Sequence, residues 1–418
     1  MRLSRVLTFA AAAALAAVAV AVPSIAQAEE ADPVIDHAVF NNPTGTTAEK
    51  YAIFIQFGRL IDRVPAGETI SMSFFGLDKV TDSDSPDTPD LTAKLVAAHE
   101  RGVKVRIITD NGNVGNDAWN KLTAALGTDD SKGSWIVHCS DKFADNPDRG
   151  CIGTRVKEWS NGPLYAYNHN KFATFSAVKM NGGSTASNVV FTGSSNIGSW
   201  DAVTAFNNMF TFSDEPGYKI FEKYFEDLRV TRSSAEGNNN YYTDTGSTSK
   251  YRMFFFPRHE RSGQPFEDPG SDTVYNTLQS VDPSCKYQEP DGSWHQTDVR
   301  VAMLAFNRPA IAQKLAQLKK NGCWIDVVYS SANADVLNAL SGIQTTKCQG
   351  ALRVHSKYML IDGGFDDDIT PRVYTGSHNY AWSALRQSDE TLVRMTGREL
   401  HTEYLNNFYD TRTACKAS

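Results

Sequence analysis

The chain has 418 residues, 41% hydrophobic and 21% charged, with a formal charge of −7. Those proportions exclude a disordered or collagen-like protein and leave a globular chain long enough for two domains or one doubled fold. An acidic body is also a poor coat for nucleic acid, though it is compatible with a local basic pocket.

Residues 1–28 open on Met1, Arg2 and Arg5, continue through an alanine-rich apolar run over 6–22, and end on Ala26-Gln27-Ala28 ahead of Glu29 and Glu30. That order is a secretory signal peptide, with cleavage expected near Ala28. A membrane anchor is the competing reading, but the run is near the lower limit for a span and small residues dominate it. The mature chain is therefore expected to be secreted, soluble and monomeric. Export favours disulfides among the six cysteines, although sequence alone does not choose their connectivity. Short loops suggest Cys139–Cys151 and Cys323–Cys348, leaving Cys285–Cys415. No C-x-x-C spacing points to a metal.

Residues 69–75 read as a strand. Leu91–Glu100 follows as a helix, stopped by Arg101-Gly102, and residues 103–108 alternate as a second strand closing on Asp110. The same order returns in residues 299–306, the helix Pro309–Lys320, the stop Asn321-Gly322 and residues 323–329. A strand, a helix and a strand, twice over, imply parallel pairing and an α/β class. Residues 233–250 are rich in Ser, Gly, Asn and Thr and read as the seam between an N-terminal half, 29–240, and a C-terminal half, 250–418. The first half carries an apparent insertion over 111–160, read as a lid or rim.

A longer repeat lies on this frame. Asn168-His169-Asn170-Lys171 matches Val354-His355-Ser356-Lys357, and Gly193-Ser194-Ser195-Asn196 matches Gly376-Ser377-His378-Asn379, at a nearly constant offset. A constant offset over several features is the mark of internal duplication. On a strand, residues i and i+2 share a face, so His355 and Lys357 are expected to point together, as are Ser377 and Asn379. Asp362, seven residues after His355, has the opposite parity. A histidine, a lysine, a hydroxyl and an amide suit a phosphoryl group.

These motifs resemble the phospholipase D superfamily, the HKD phosphodiesterases, over essentially the whole mature chain. The resemblance implies a duplicated fold of two α/β lobes, mixed sheets flanked by helices, with one active site at their interface. It implies that His169 attacks phosphorus and that His355 acts as general acid and base. Lys171, Lys357, Asn196 and Asn379 would hold the phosphoryl oxygens, and Asp362 and Glu390 would complete the catalytic set. Ser194, Ser377, Trp200 and Trp382 would line the substrate pocket. No metal or other cofactor is implied, because the lysines supply the charge.

The sequence departs from the family pattern twice. Ser176 stands where the first copy should have the family aspartate, and Asn207 stands at the spacing that gives Glu390 in the second. Asp201 is a nearby substitute acid, and which histidine Glu390 supports is not readable. Asp110 and His378 are read as bystanders, and the run Asp366-Asp367-Asp368 as a solvated loop. The expected partner is a phospholipid membrane surface or another phosphodiester. The first reading is a secreted phospholipase D that degrades lipid to phosphatidic acid. A secreted nuclease is the alternative, for which Arg155, Lys157, Lys179 and Arg353 are the available cations. A third is an inactive phosphate-ester-binding protein.

Overall fold

Alternating apolar residues build two mixed sheets in the computed structural model, which describes residues 31–81, 84–143, 145–246, 250–366 and 368–417. The expected signal peptide and Asp367 lie outside these residues. The first sheet contains β1 (His37–Phe40), β2 (Thr69–Phe74), β3 (Lys104–Thr109), β4 (Trp135–His138), β5 (Lys171–Lys179), β6 (Thr185–Gly193) and β7 (Asn208–Ser213), in the order β1-β7-β6-β5-β2-β3-β4. The second contains β8 (Thr243–Asp244), β9 (Tyr251–Phe256), β10 (Asp298–Phe306), β11 (Trp324–Ala332), β12 (Gln344–Lys347), β13 (Lys357–Asp362), β14 (Arg372–Gly376) and β15 (Glu390–Thr396), in the order β8-β9-β15-β14-β13-β10-β11-β12.

The two sheets repeat one plan. In each, three strands run parallel, β2-β3-β4 and β10-β11-β12. An antiparallel strand carrying the repeated lysine then pairs with the first of them, β5 with β2 and β13 with β10. The crossover helices fall where the sequence places them. Leu91–Glu100 buries Leu91, Leu95 and Ala98, and Pro309–Lys320 buries Ile311, Leu315 and Leu318, the three-and-four spacing that puts apolar groups on one face. Asp90 caps the first helix at Ala93 N, and Pro309 sits in the first turn of the second, where a missing N–H costs nothing. Between the sheets, Phe172, Phe210 and Phe255 pack with Phe221 and Tyr224 of helix Glu215–Thr231 and with Tyr404 and Phe408 of helix Arg398–Ala417. Both halves thus share this middle core, and each has a further core of its own.

Three expectations need correction. Residues 111–160 are only in part an insertion. Helix Asp117–Leu126 and edge strand β4 match Ala334–Ala339 and β12 of the second half and belong to the common plan. The extra excursion begins at Cys139, and it is pinned rather than free. The Cys139–Cys151 disulfide forms as expected, but the other four cysteines pair as Cys285–Cys323 and Cys348–Cys415. Strand direction explains the difference. Cys323 precedes β11, while Cys348 is level with its far end, where Tyr329 pairs with Lys347. About seven residues of strand separate those levels, roughly 20 Å. Among the described residues no helix is long and apolar enough to cross a membrane.

Candidate active site

His169 and His355 stand just ahead of β5 and β13, and the ladder begins at Lys171 and Lys357. At the histidines the backbone turns to the opposite half. His169 N donates to Asp389 O at 3.0 Å, and His355 N to Phe206 O at 2.9 Å. Asn168 forms a parallel bridge with Asp389, and residues 353–354 pair in parallel with 205–206. Each motif is therefore stitched across the interface by backbone alone.

The side chains repeat the exchange. His169 Nδ1 lies 2.9 Å from Glu390 Oε1, and His355 Nδ1 lies 2.8 Å from Asn207 Oδ1. Gly193 opposes Met209, and Gly376 opposes Leu392, so Asn207 and Glu390 hold equivalent places two residues earlier. Each half orients the other half's histidine. A neutral amide can hold an imidazole but cannot balance its charge. Asp201 supplies that charge nearby, with Oδ1 3.5 Å from His355 Nδ1. Asp201 also anchors the first turn, accepting from Asn196 N at 3.1 Å.

The serines do not face the substrate, contrary to expectation. Ser194 Oγ donates to Asn207 Oδ1 at 2.8 Å, and Ser377 Oγ donates to the Glu390 carboxylate. Each hydroxyl also accepts a backbone N–H, from Asn208 at 3.0 Å and from Thr391 at 2.9 Å. Both side chains are fully buried, and each hydroxyl has already spent its one proton on its own half's support. The preceding glycines make this possible. A Cβ on Gly193 or Gly376 would stand 2.2 Å from the carbonyl oxygen of Asn208 or Thr391, so any other residue would force the strands apart.

The asparagines are held alike in both halves. Asn196 Oδ1 accepts Gly76 N at 3.2 Å, and Asn379 Oδ1 accepts Ala305 N at 3.3 Å. With the oxygen fixed, each Nδ2 is the end that can donate to a ligand. Lys171 Nζ donates to His169 O at 2.8 Å, and Lys357 Nζ donates likewise to His355 O. Burial pushes Lys171 down to about 8, against the pull of Glu390 and Asp201, and burial with the Lys171 charge pushes Lys357 well down. Burial and then the two lysines hold both imidazoles well below their usual value, and His355 adds to the effect on His169. Burial raises Glu390 to about 8. Two lysines, two imidazoles and two acids act on one another here, and an entering anion would relieve the repulsion between the cations.

Asp362 lies elsewhere. At the far end of β13 it accepts from Tyr287 Oη at 3.0 Å and pairs with Arg398. Five residues of strand beyond Lys357 put it about 17 Å away on the opposite face, so it does not belong with the catalytic groups. Ser176 occupies the matching end of β5, donating to Glu68 Oε2 at 2.6 Å and accepting from Thr69 N at 2.8 Å. Ser176→Asp should therefore leave turnover per folded molecule within about twofold. Stability should fall by about 1 kcal/mol, because two carboxylates would meet where a hydroxyl now donates. Steady-state rates and urea midpoints check both halves of that expectation.

Trp200 is exposed, with its ring edge-on to His355 at 5.5 Å. Trp382 is almost buried against Phe266. His378 is buried, 3.1 Å from Arg308 Nη2 and against the Phe256 ring, a core role. Asp110 fixes the approach to His169 by accepting Asn168 N at 3.0 Å, and burial raises it to about 6. Sequence reasoning missed Asp389, which accepts the backbone N–H groups of Cys151, Ile152 and Gly153 at 2.6, 3.2 and 2.8 Å. Its only sequence signal is its place beside Glu390.

A family model described as cardiolipin synthase, PLD-like domain, matches residues 66–229 and again 295–411, more than half of the chain. The chain belongs to the phospholipase D superfamily. Its fold is similar to that of the phosphatidylserine synthase of Haemophilus influenzae Rd KW20, with a TM-score of 0.53, 11% identity, 90% of this chain covered and 85% of that one. It is also similar to the polyphosphate kinase of Porphyromonas gingivalis, with a TM-score of 0.52 and 12% identity over 88% of this chain. The chain spans about half the length of that kinase, 49%. No curated protein matches the sequence significantly.

Proposed function

We propose that the chain is an exported phosphodiesterase of phospholipase D type that hydrolyses a phospholipid to phosphatidic acid and its head-group alcohol. The two halves, read as residues 29–240 and 250–418, contribute one histidine each. His169 Nε2 attacks phosphorus. Its Nδ1 is held by Glu390, which balances the charge that appears on the ring as the phosphohistidine forms. His355 is hydrogen-bonded to a neutral amide and has its counter-charge, Asp201, farther off at 3.5 Å, so its imidazolium is less tightly held than that of His169, suited to protonating the leaving alkoxide and then to activating water. Lys171, Lys357, Asn196 and Asn379 hold the non-bridging oxygens.

The observation that carries the lipid reading is a trough of about 900 Å³ whose lining joins Trp159, Leu164, Pro309 and Trp382 to polar groups that include Glu267 and Asp335, with Ala381 two residues along the chain from Asn379. The apolar part of that lining is a surface on which an acyl chain can lie. Of the exposed apolar side chains, Trp159 lines this trough and Trp200 stands edge-on to His355 at 5.5 Å. Of the cations a nuclease would need, Arg155 and Lys157 share the Phe266 ring at 5.8 and 5.3 Å, while the others are dispersed or engaged. Arg155 pairs with Glu260 at 3.2 Å, Arg353 bonds Gly350 O and Leu352 O, and Lys179 ends β5 eight residues beyond Lys171.

The mature chain, offered phosphatidylcholine vesicles and plasmid or single-stranded DNA in parallel, should release phosphatidic acid, and His355→Ala should not. DNA cleavage without lipid cleavage would transfer the protein to the nuclease branch. The pH profile follows from the histidines. One imidazole must be neutral and one protonated, and burial with the lysine charges holds both well below the usual imidazole value. The required proton is therefore lost at a lower pH than from a free histidine, so kcat/KM should peak on the acid side of neutrality. An optimum above pH 8 would contradict this assignment.

A further inference from the structure

The outer face of the second sheet carries a separate cavity of about 460 Å³, formed by β9, β14 and β15 with helix Thr273–Gln279. Four arginines line it: Arg252, Arg258, Arg372 and Arg394. Arg252 and Arg394 are direct cross-strand partners, an arrangement of like charges that destabilises a sheet unless something compensates. Compensation is incomplete. Arg252 is braced by Asp244 at 2.8 Å and Arg372 by Asp368 at 2.8 Å. Arg258 lies over the Tyr242 ring at 4.0 Å, and neither its guanidinium nor that of Arg394 makes a hydrogen bond or close ion pair among the described residues, Asp244 acting on both only at longer range. The Nε atoms of Arg258, Arg372 and Arg394 are buried without an acceptor. Buried charged donors left unmade are costly, and among the described residues the lining acids, Asp244, Asp366 and Asp368, are one fewer than the arginines.

We propose that this cavity is a second, non-catalytic oxyanion site that takes a phosphate monoester, with Arg394 and Arg258 as its primary ligands. Several guanidinium groups lining one cavity favour an acceptor with three terminal oxygens, which a monoester dianion has and a carboxylate or a diester does not. The cavity exceeds the size of phosphate alone, and Tyr242, Phe254 and Tyr374 leave an aromatic wall for a small organic group. The proposal does not rest on the lipid reading of the paired-histidine site.

Calorimetry with inorganic phosphate tests it on the mature chain. The wild type should bind two equivalents, one at the histidines and one here. Arg394→Met should lose one of them, or weaken it at least tenfold, while hydrolysis of a small soluble phosphodiester and its inhibition by phosphate stay within twofold. That unchanged rate also reports a folded variant. If Arg394→Met does not fold, Arg258→Met is read in the same way. Glycerol 3-phosphate and vesicles containing phosphatidic acid separate the sources. Binding of the first alone marks a soluble monoester, and Arg394-dependent retention on the second marks a lipid head group. A single phosphate equivalent that neither arginine variant alters would overturn the site.

Discussion

His355→Ala, mixed with a p-nitrophenyl phosphodiester, should release one p-nitrophenolate per molecule and then stall. This leaving group departs without a proton, so the first step does not need the general acid. The second step does need His355 to activate water, and the phosphohistidine at His169 should persist long enough for mass spectrometry. Steady-state turnover should fall by about 10³-fold or more. His169→Ala should show no burst at all. A burst from His169→Ala and none from His355→Ala would reverse the roles. The asymmetry of partners, Glu390 for one ring and Asn207 for the other, is the physical basis for the direction chosen.

Asp389→Ala should destabilise the fold by about 3 kcal/mol or more. It would strip the acceptor from three buried backbone N–H groups at residues 151–153, at about 1–3 kcal/mol for each unsatisfied donor. The loop has no easy rearrangement, because Cys151 is tied to Cys139 and a Cβ on Gly150 would already stand 2.7 Å from the carboxylate. Asp389→Asn should fall between wild type and alanine, since one oxygen remains. Urea midpoints measured with the disulfides intact check the series, and a loss under about 1 kcal/mol for alanine would show that the loop finds other partners. Activity should drop as well, because the Asp389 carbonyl holds His169 N and its neighbour Glu390 holds the ring.

The repeated strand, helix and strand were legible because β3 alternates, because β2, β10 and β11 are short apolar runs, and because Gly102 and Gly322 mark the helix stops. The paired motifs were legible because residue type and spacing recur. What escaped the sequence depends on register between segments far apart in the chain. The exchange of Glu390 and Asn207 between histidines needs the two halves docked. Ser194 and Ser377 were misplaced because parity holds only while a strand continues, and the chain turns just after each glycine. Edge strand β4 was hidden inside a polar stretch whose helix, Asp117–Leu126, carries few large apolar groups. Cysteine pairing followed strand direction rather than loop length.

The exchanged supports make the seam between the halves a switch for the whole site. If the halves part, His169 loses Glu390 and His355 loses Asn207 in the same event, so neither half keeps a working remnant. A fragment holding one complete HxK and GSxN set would contain the familiar signature and still lack the group that orients its histidine. Damage, truncation or incomplete folding should therefore yield silent protein rather than a weakened and less selective enzyme. For a site assembled from two halves of one chain, all-or-none assembly confines any chemistry to the intact fold.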